Sequence, residues 1–340
     1  MTGEAEQWTE ALWAAARAGD EHAATGVAMA ALDAGLPMET LLLDVVAAVQ
    51  ARVGHEWAAN HLSVAQEHSA TALNERVLSA LAHRLPRRDD PAASRGRIMV
   101  ACIDGEWHAF PARLLAEVLQ VRGWQVDYLG AQVPTPHLVA HLHLTNPDAV
   151  ALSSSLAIRL PAAHTAITAC QAAGKPVVVG GAAFGPDGRY ARLLGADAWA
   201  PDARAAADLL AAGPLPRRTA SGEEPRLLAD REYTELTRSA GDLVGGIIEE
   251  LGRGPELAGC TEQQLWQLAE EVAYLVDFLR AALYVDDPEL FSAFVGWMRS
   301  VLTARDIPPA LLPAVLEALS GRLGGFPRAL GMVAGARGSG

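Results

Sequence analysis

The stretch "RIMVACIDGEWHAFP" (97–111) is where the pattern of the chain changes. Residues 97–103 form a short apolar, β-branched run that ends in a polar loop carrying Glu106 and His108. Three similar runs follow, "VDYL" (126–129), "DAVALSSS" (148–155) and "PVVVGG" (176–181), with amphipathic helical segments between them. Strands that alternate with helices demand right-handed crossovers, which predicts a parallel sheet covered on both faces.

To either side, apolar residues recur at three- and four-residue spacing without strand-like alternation, the mark of helices. The polar stretches "LPRRDDPAASRG" (85–96) and "GPLPRRTASGEEP" (213–225) separate the segments. A multidomain α and α/β protein is expected. It comprises a helical bundle over 1–88, a Rossmann-like (flavodoxin-like) domain over 95–212, a linker over 213–225, an all-α domain over 226–323 and a flexible glycine-rich tail over 324–340. Breaks in the first bundle are expected at Gly19-Asp20, Gly35-Leu36-Pro37 and Gly54. Helices in the last are expected over 226–252, 261–284, 287–305 and 308–322, the third opened by Asp287-Pro288 and the fourth by Pro308-Pro309.

The 340 residues, 51% of them hydrophobic, suffice for two or three separate cores. No basic segment followed by an apolar stretch opens the chain, and no uncharged apolar run of about 18 residues occurs, so a cytoplasmic protein that spans no membrane is expected. Cys102, Cys170 and Cys260 are scattered, which argues against a disulfide framework and a structural zinc site. The net charge of −13 leaves little to neutralise phosphates, so no direct nucleic-acid partner is expected.

Glu106 and His108 follow the first strand, which puts them at the carboxyl edge of the sheet, where open α/β sheets bind ligands. A histidine there can ligate a metal or cofactor with one nitrogen while a carboxylate holds the other N–H. The third strand ends in Ser-Ser-Ser-Leu (153–156), which offers hydroxyls. The fourth ends in Gly180-Gly181, where missing side chains let a flat or bulky group approach the backbone.

Taken in order, Glu106-x-His108, then Ser154-x-Leu156, then Gly180-Gly181 resembles the signature of the cobalamin-binding domain of methionine synthase, the mutases and related corrinoid proteins. "YLGAQVPTPHLV" (128–139), with its Leu-Gly and its Val133-Pro134, matches the same family. The resemblance covers about 95–212. It implies that His108 is the lower axial ligand to cobalt, tuned by Glu106. Val133, Ser154 and Leu156 would line the cleft for cobalamin and its displaced nucleotide tail, and Gly180 and Gly181 would let that tail lie on the sheet. One departure is Pro111, where the family has glycine.

Upstream, "GHEWAANHLSVAQEHSAT" (54–71) holds His55, His61 and His68. On one helix, a spacing of ten or eleven from Trp57 to Glu67 and His68 is close to three turns and would project all three toward one side. A core tryptophan beside a solvated Glu-His pair is the plainer alternative. Tryptophan, nine residues, then Glu-His upstream of a corrinoid domain resembles the cap of the light-sensing adenosylcobalamin proteins of the CarH type. This implies Trp57, Glu67 and His68 over the upper face of the cofactor. In that type a histidine after the tryptophan captures cobalt after photolysis; Ala58 stands there here, so His55, His61 or His68 would have to substitute. That type also carries an N-terminal DNA-binding domain. Here the cap begins almost at Met1, so direct transcription control is not expected.

No histidine follows His164, which disfavours a haem with a proximal histidine in the last domain. A linear tetrapyrrole needs only an apolar slot, aromatic walls and arginines for its propionates. The domain order resembles the photocobilins, which pair cobalamin with biliverdin on a globin-like domain. Arg231, Arg238, Tyr274, Arg280, Trp297 and Arg299 are the bilin-binding candidates, with non-covalent binding favoured over a thioether at Cys260. A docking or dimerisation bundle is the alternative.

These readings predict a photoreceptor that binds adenosylcobalamin and biliverdin, with no enzyme activity of its own, acting as a homo-oligomer and through a possible downstream signalling protein. A corrinoid carrier for a methyltransferase system and a light-indifferent adaptor that reports cobalamin are the rivals. No P-loop, nucleophile elbow or room for a substrate barrel is present.

Overall fold

In this computed structural model the described residues are 3–84, 94–216, 230–253, 262–305, 307 and 310–338, the side chains of 262–267 excepted. They fall into two units, residues 1–219 and 220–340.

The first unit opens with α1 (Gly3–Ala18) and α2 (Glu21–Asp33), separated at Gly19 and Asp20, where the Asp20 carboxylate caps α2. After Gly35 the chain runs without a break through α3 (Met38–Thr40), a π-helical turn (Leu41–Val46) and α4 (Ala47–Ala58). Gly54 therefore does not break a helix. It sits on an exposed face of α4, where one glycine costs only about 1 kcal/mol relative to alanine. The break comes at 59–63, where Asn60 takes a left-handed φ of 60° and Ser63 opens α5 (Val64–Ala82) with a reciprocal cap to Gln66. Ala24, Ala28 and Ala31 form the buried stripe of α2, so small side chains let it lie close to α1 and α5.

The sheet strands are β1 (Arg97–Cys102), β2 (Gln125–Gly130), β3 (Ala149–Ser153), β4 (Val177–Gly180) and β5 (Ala198–Ala200), all parallel and ordered β2-β1-β3-β4-β5. β5 is too short to show as an apolar run in the sequence. The crossovers carry α6 (Phe110–Val121), α7 (Thr135–Thr145), α8 (Leu160–Ala172), α9 (Arg189–Leu193) and α10 (Ala203–Ala211). Pro111, at the start of α6, has no N–H to leave unpaired in a first helical turn. The cap and the α6 side of the sheet share one apolar core, from Leu12, Leu41 and Val77 to Ala112, Leu119 and Val100. The Arg122 guanidinium, just beyond α6, holds both oxygens of Glu39 on α3 at 2.9 and 2.7 Å, and Arg204 holds Asp44 at 3.0 Å.

The second unit is all helical: α11 (Arg231–Gly252), α12 (Glu262–Val285), α13 (Pro288–Ala304), α14 (Leu311–Arg322) and α15 (Pro327–Gly338). Asp287 caps α13 as expected, whereas Pro308 and Pro309 lie outside the described residues. The glycine-rich tail is not loose. It forms α15, whose Ala329, Met332, Val333 and Ala336 are buried at helical spacing. Gly331 and Gly335 point where an added Cβ would meet nothing. Arg328 pairs with Asp230 and, at 2.6 Å, with Asp286, and the Ala329 N–H donates to Glu232 at 2.8 Å, so the start of α15 is tied to α11 and the α12–α13 turn.

Candidate cobalamin site

The strand order reverses between β1 and β3, and a crevice forms there because the crossovers on either side leave to opposite faces. The loops after these two strands carry the Glu106–His108 and Ser154–Leu156 segments. Gly105, at φ 75°, turns the first loop, and the Arg159 guanidinium fills the place of a Cβ. Glu106 is thereby aimed into the protein and is fully buried.

Its two oxygens accept five donors. Oε1 takes His108 Nδ1 at 2.6 Å and the His108 backbone N–H at 2.9 Å. Oε2 takes the Ser154 hydroxyl at 3.1 Å and the N–H groups of Ser155 at 2.7 Å and Leu156 at 3.1 Å. Burial pushes the Glu106 carboxyl up, but the bonds from His108, Ser155 and Leu156 outweigh it and hold it at about 2. An ionised oxygen is an acceptor only, so His108 Nδ1 carries a proton, and in the neutral ring Nε2 is the nitrogen that keeps its lone pair. A third of the His108 side chain is exposed, enough to offer that nitrogen to a ligand.

Ser154 is itself fully buried, and its hydroxyl turns inward to Glu106 rather than toward a cleft. Leu156 contributes its N–H to the same cage. Gly181 has a reason in the chain itself: at φ 101° its Cβ would come within 2.2 Å of the Ser154 carbonyl oxygen. A Cβ on Gly180 would meet the Ala200 carbonyl at 3.2 Å. Val133, half-buried, lies in the loop after β2, which Gln132 ties to the Glu106 carbonyl through a 2.9 Å hydrogen bond.

On the cap side, Trp57 and the Glu67-His68 pair do not share a helix. Trp57 is half-buried on the last turn of α4, packed against the cap core, and Glu67 and His68 stand on the first turn of α5. His61 pairs with Glu56 at 2.8 Å, and His55 is exposed. Among the three, His68 has the ring that approaches the sheet domain. Its centroid is 6.5 Å from that of Trp107, which stacks on His108 at 3.9 Å. Trp107, half exposed, was not singled out in the sequence; its place as the middle residue of Glu-x-His was the available signal.

Residues 96–210 match the family model of a B12 binding domain, and residues 8–82 match a second B12 binding domain model. Both segments are thus similar to B12 binding domains. Relatives of the chain include the HTH-type transcriptional repressor CarH of Myxococcus xanthus, 32% identical over 184 residues, 53% of this chain and 59% of that one. CarA, another HTH-type transcriptional repressor of the same organism, is 37% identical over 125 residues, 35% of this chain and 41% of that one. The chain thus spans less than two thirds of either relative. A solved structure, the monomethylamine corrinoid protein of Methanosarcina barkeri, shares the fold with a TM-score of 0.52 at 19% identity, covering 60% of this chain and 97% of that one.

The other candidates are dispersed. Arg231 and Arg238 are exposed on α11, with Arg231 paired to Glu235 at 2.7 Å. Arg280 on α12 bonds Asp277 and Thr237, Arg299 is half-buried on α13, and the Tyr274 and Trp297 rings are exposed. The described contacts do not gather these six into one site. Cys102 and Cys170 are buried thiols pushed up to about 12 by burial, which suits neither for ligation, and Cys260 lies outside the described residues. No described helix is long and apolar enough to cross a membrane.

Proposed function

We propose that the chain is a light-responsive cobalamin protein that takes adenosylcobalamin between the cap and the carboxyl edge of the sheet. One observation carries this: His108, fixed by a buried five-donor carboxylate, keeps Nε2 bare at the switch point, with Trp107 and the cap's His68 in ring contact above it. Cobalt accepts such a nitrogen, and the residues present fit the group. Bound adenosylcobalamin supplies a light-labile cobalt–carbon bond. His108 would hold the cobalt, Glu106 keeps the proton on Nδ1, and Trp57, Glu67 and His68 of the cap would close over the bound group. The cap is the part able to answer a change there, because its charged attachments to the sheet domain are side-chain ion pairs at Arg122 and Arg204. The match to CarH and CarA supports the light-sensing reading, and no turnover of substrate is assigned.

For the second unit the proposal extends to non-covalent biliverdin, supported by the domain order and by exposed aromatic rings on α12 and α13. The cleft there, lined by Leu268, Glu271, Val272, Leu275, Met298 and Leu302 among others, is closed down to about 10 Å³. Pockets for ligands of this size run from roughly 300 Å³ upward, so the bundle must open to admit one.

Absorption spectra of the protein loaded with each chromophore, in darkness and after green and then red light, test both parts. A spectrum of nitrogen-ligated cobalamin, lost on His108→Ala and altered by green light, is expected, together with a retained red band. A cobalamin spectrum indifferent to light, with equal affinity for methyl- and adenosylcobalamin, would leave a methyl-group carrier in its place.

A further inference from the structure

A line of polar side chains runs through the interior of the cap and ends on Glu67. Asn74 Nδ2 donates to Gln50 Oε1 at 2.8 Å, Gln50 Nε2 donates to the Thr71 hydroxyl at 2.7 Å, and that hydroxyl donates to Glu67 Oε1 at 2.8 Å. The direction of the line is forced from its Glu67 end. A carboxylate oxygen accepts, so the single Thr71 proton goes to Glu67 and Thr71 must itself accept from Gln50. The Gln50 amide nitrogen therefore faces Thr71, its oxygen faces Asn74, and Asn74 presents its nitrogen. Asn74 Oδ1 is then turned into the core, where it is buried without a partner among the described residues, on a side chain that is fully buried. An unmet buried acceptor costs on the order of 1–3 kcal/mol, and an apolar residue on α5 would avoid it, so packing alone does not account for an asparagine here.

Glu67 passes the order on. Its other oxygen lies 2.7 Å from His68 Nδ1, which is also 2.9 Å from the Val64 carbonyl oxygen. Both neighbours are acceptors, so Nδ1 carries a proton and, in the neutral ring, Nε2 is the nitrogen left with its lone pair, as in His108. We propose that Asn74, Gln50 and Thr71 are positioning residues that fix the Glu67 carboxylate and, through it, the ring and tautomer of His68 over the cofactor seat. The inference rests on the cobalamin reading of the cap for its purpose, but its geometry is a property of the cofactor-free chain.

The test is therefore made first without cofactor, on the full chain labelled with ¹⁵N-histidine. The wild-type His68 signal is expected to report Nδ1–H with a bare Nε2. In Thr71→Val that tautomer loses population, with the Val64 carbonyl left to hold it in part, and Thr71→Ser restores the wild-type signal. A Thr71→Val spectrum identical to wild type, with the chain folded, would overturn the proposal and leave the line as a staple between α4 and α5. Affinities for adenosylcobalamin and hydroxocobalamin follow, with Thr71→Val expected to lose the preference for the adenosyl form and Thr71→Ser to keep it. A wild type without that preference would count against the proposed function, while the histidine spectrum still decides the role of the line.

Discussion

Glu106 carries more of the site than its partner in the motif. Five donors converge on one buried carboxylate, and they come from both loops that flank the switch point, so a single side chain locks the β1 loop to the β3 loop. Glutamine is nearly isosteric but must place an amide nitrogen where an oxygen stood, against two or three N–H or O–H donors. Glu106→Gln is expected to destabilise the cofactor-free protein by about 2–3 kcal/mol in urea denaturation. An unchanged midpoint would show that the loops are held by other means. The motif was legible in the sequence because its residue types are rare together, whereas the inward turn of the Ser154 hydroxyl was not, since either direction suits a serine at a strand end.

At the scale of elements, α6 links the two halves of the site. It begins two residues after His108 and ends at Arg122, whose guanidinium grips Glu39 of the cap. That hydrogen bond outweighs burial and holds the Glu39 carboxyl below its ordinary value of 4.5. A carboxyl depressed in the folded state contributes stability that is complete above its unfolded value and is lost as pH falls through the folded one. The difference in thermal midpoint between wild type and Arg122→Ala should therefore be constant from neutrality down to about pH 4.5 and shrink below it. A difference that persists at low pH would show that Arg122 stabilises the fold without its carboxylate partners Glu39 and Asp208. The same scale holds the misreadings of periodicity. From sequence, Gly54 reads as a helix end and 324–340 as a loose tail, because glycine suggests a break wherever it occurs. An exposed glycine is tolerated once neighbouring positions are buried at helical spacing, as at Ala329, Met332 and Val333.

For the whole molecule, the residues proposed to hold cobalamin all lie within 1–219. Hydroxocobalamin at a hundredfold excess over its Kd should stabilise the folded state by about 2.7 kcal/mol, read as a raised thermal midpoint, and His108→Ala should remove most of that increment. An increment that survives the substitution would mean that the corrin is held without His108. The second unit supplies helices, exposed aromatic rings and dispersed arginines, and a red absorption band retained with biliverdin is the measurement that tests the proposed bilin site.

The sequence by itself determined the order of segments, the parallel sheet and the Glu106-x-His108 loop at its edge, because period, strand punctuation and paired chemistry are local properties of a chain. Only the tertiary structure decided which cap histidine approaches that loop, that Trp107 stands between them, and that Asn74, Gln50 and Thr71 line up behind Glu67. Those relations join residues from different elements. The spacing of Trp57 and His68 along the chain could not foresee the turn at 59–63 that sets them on separate helices.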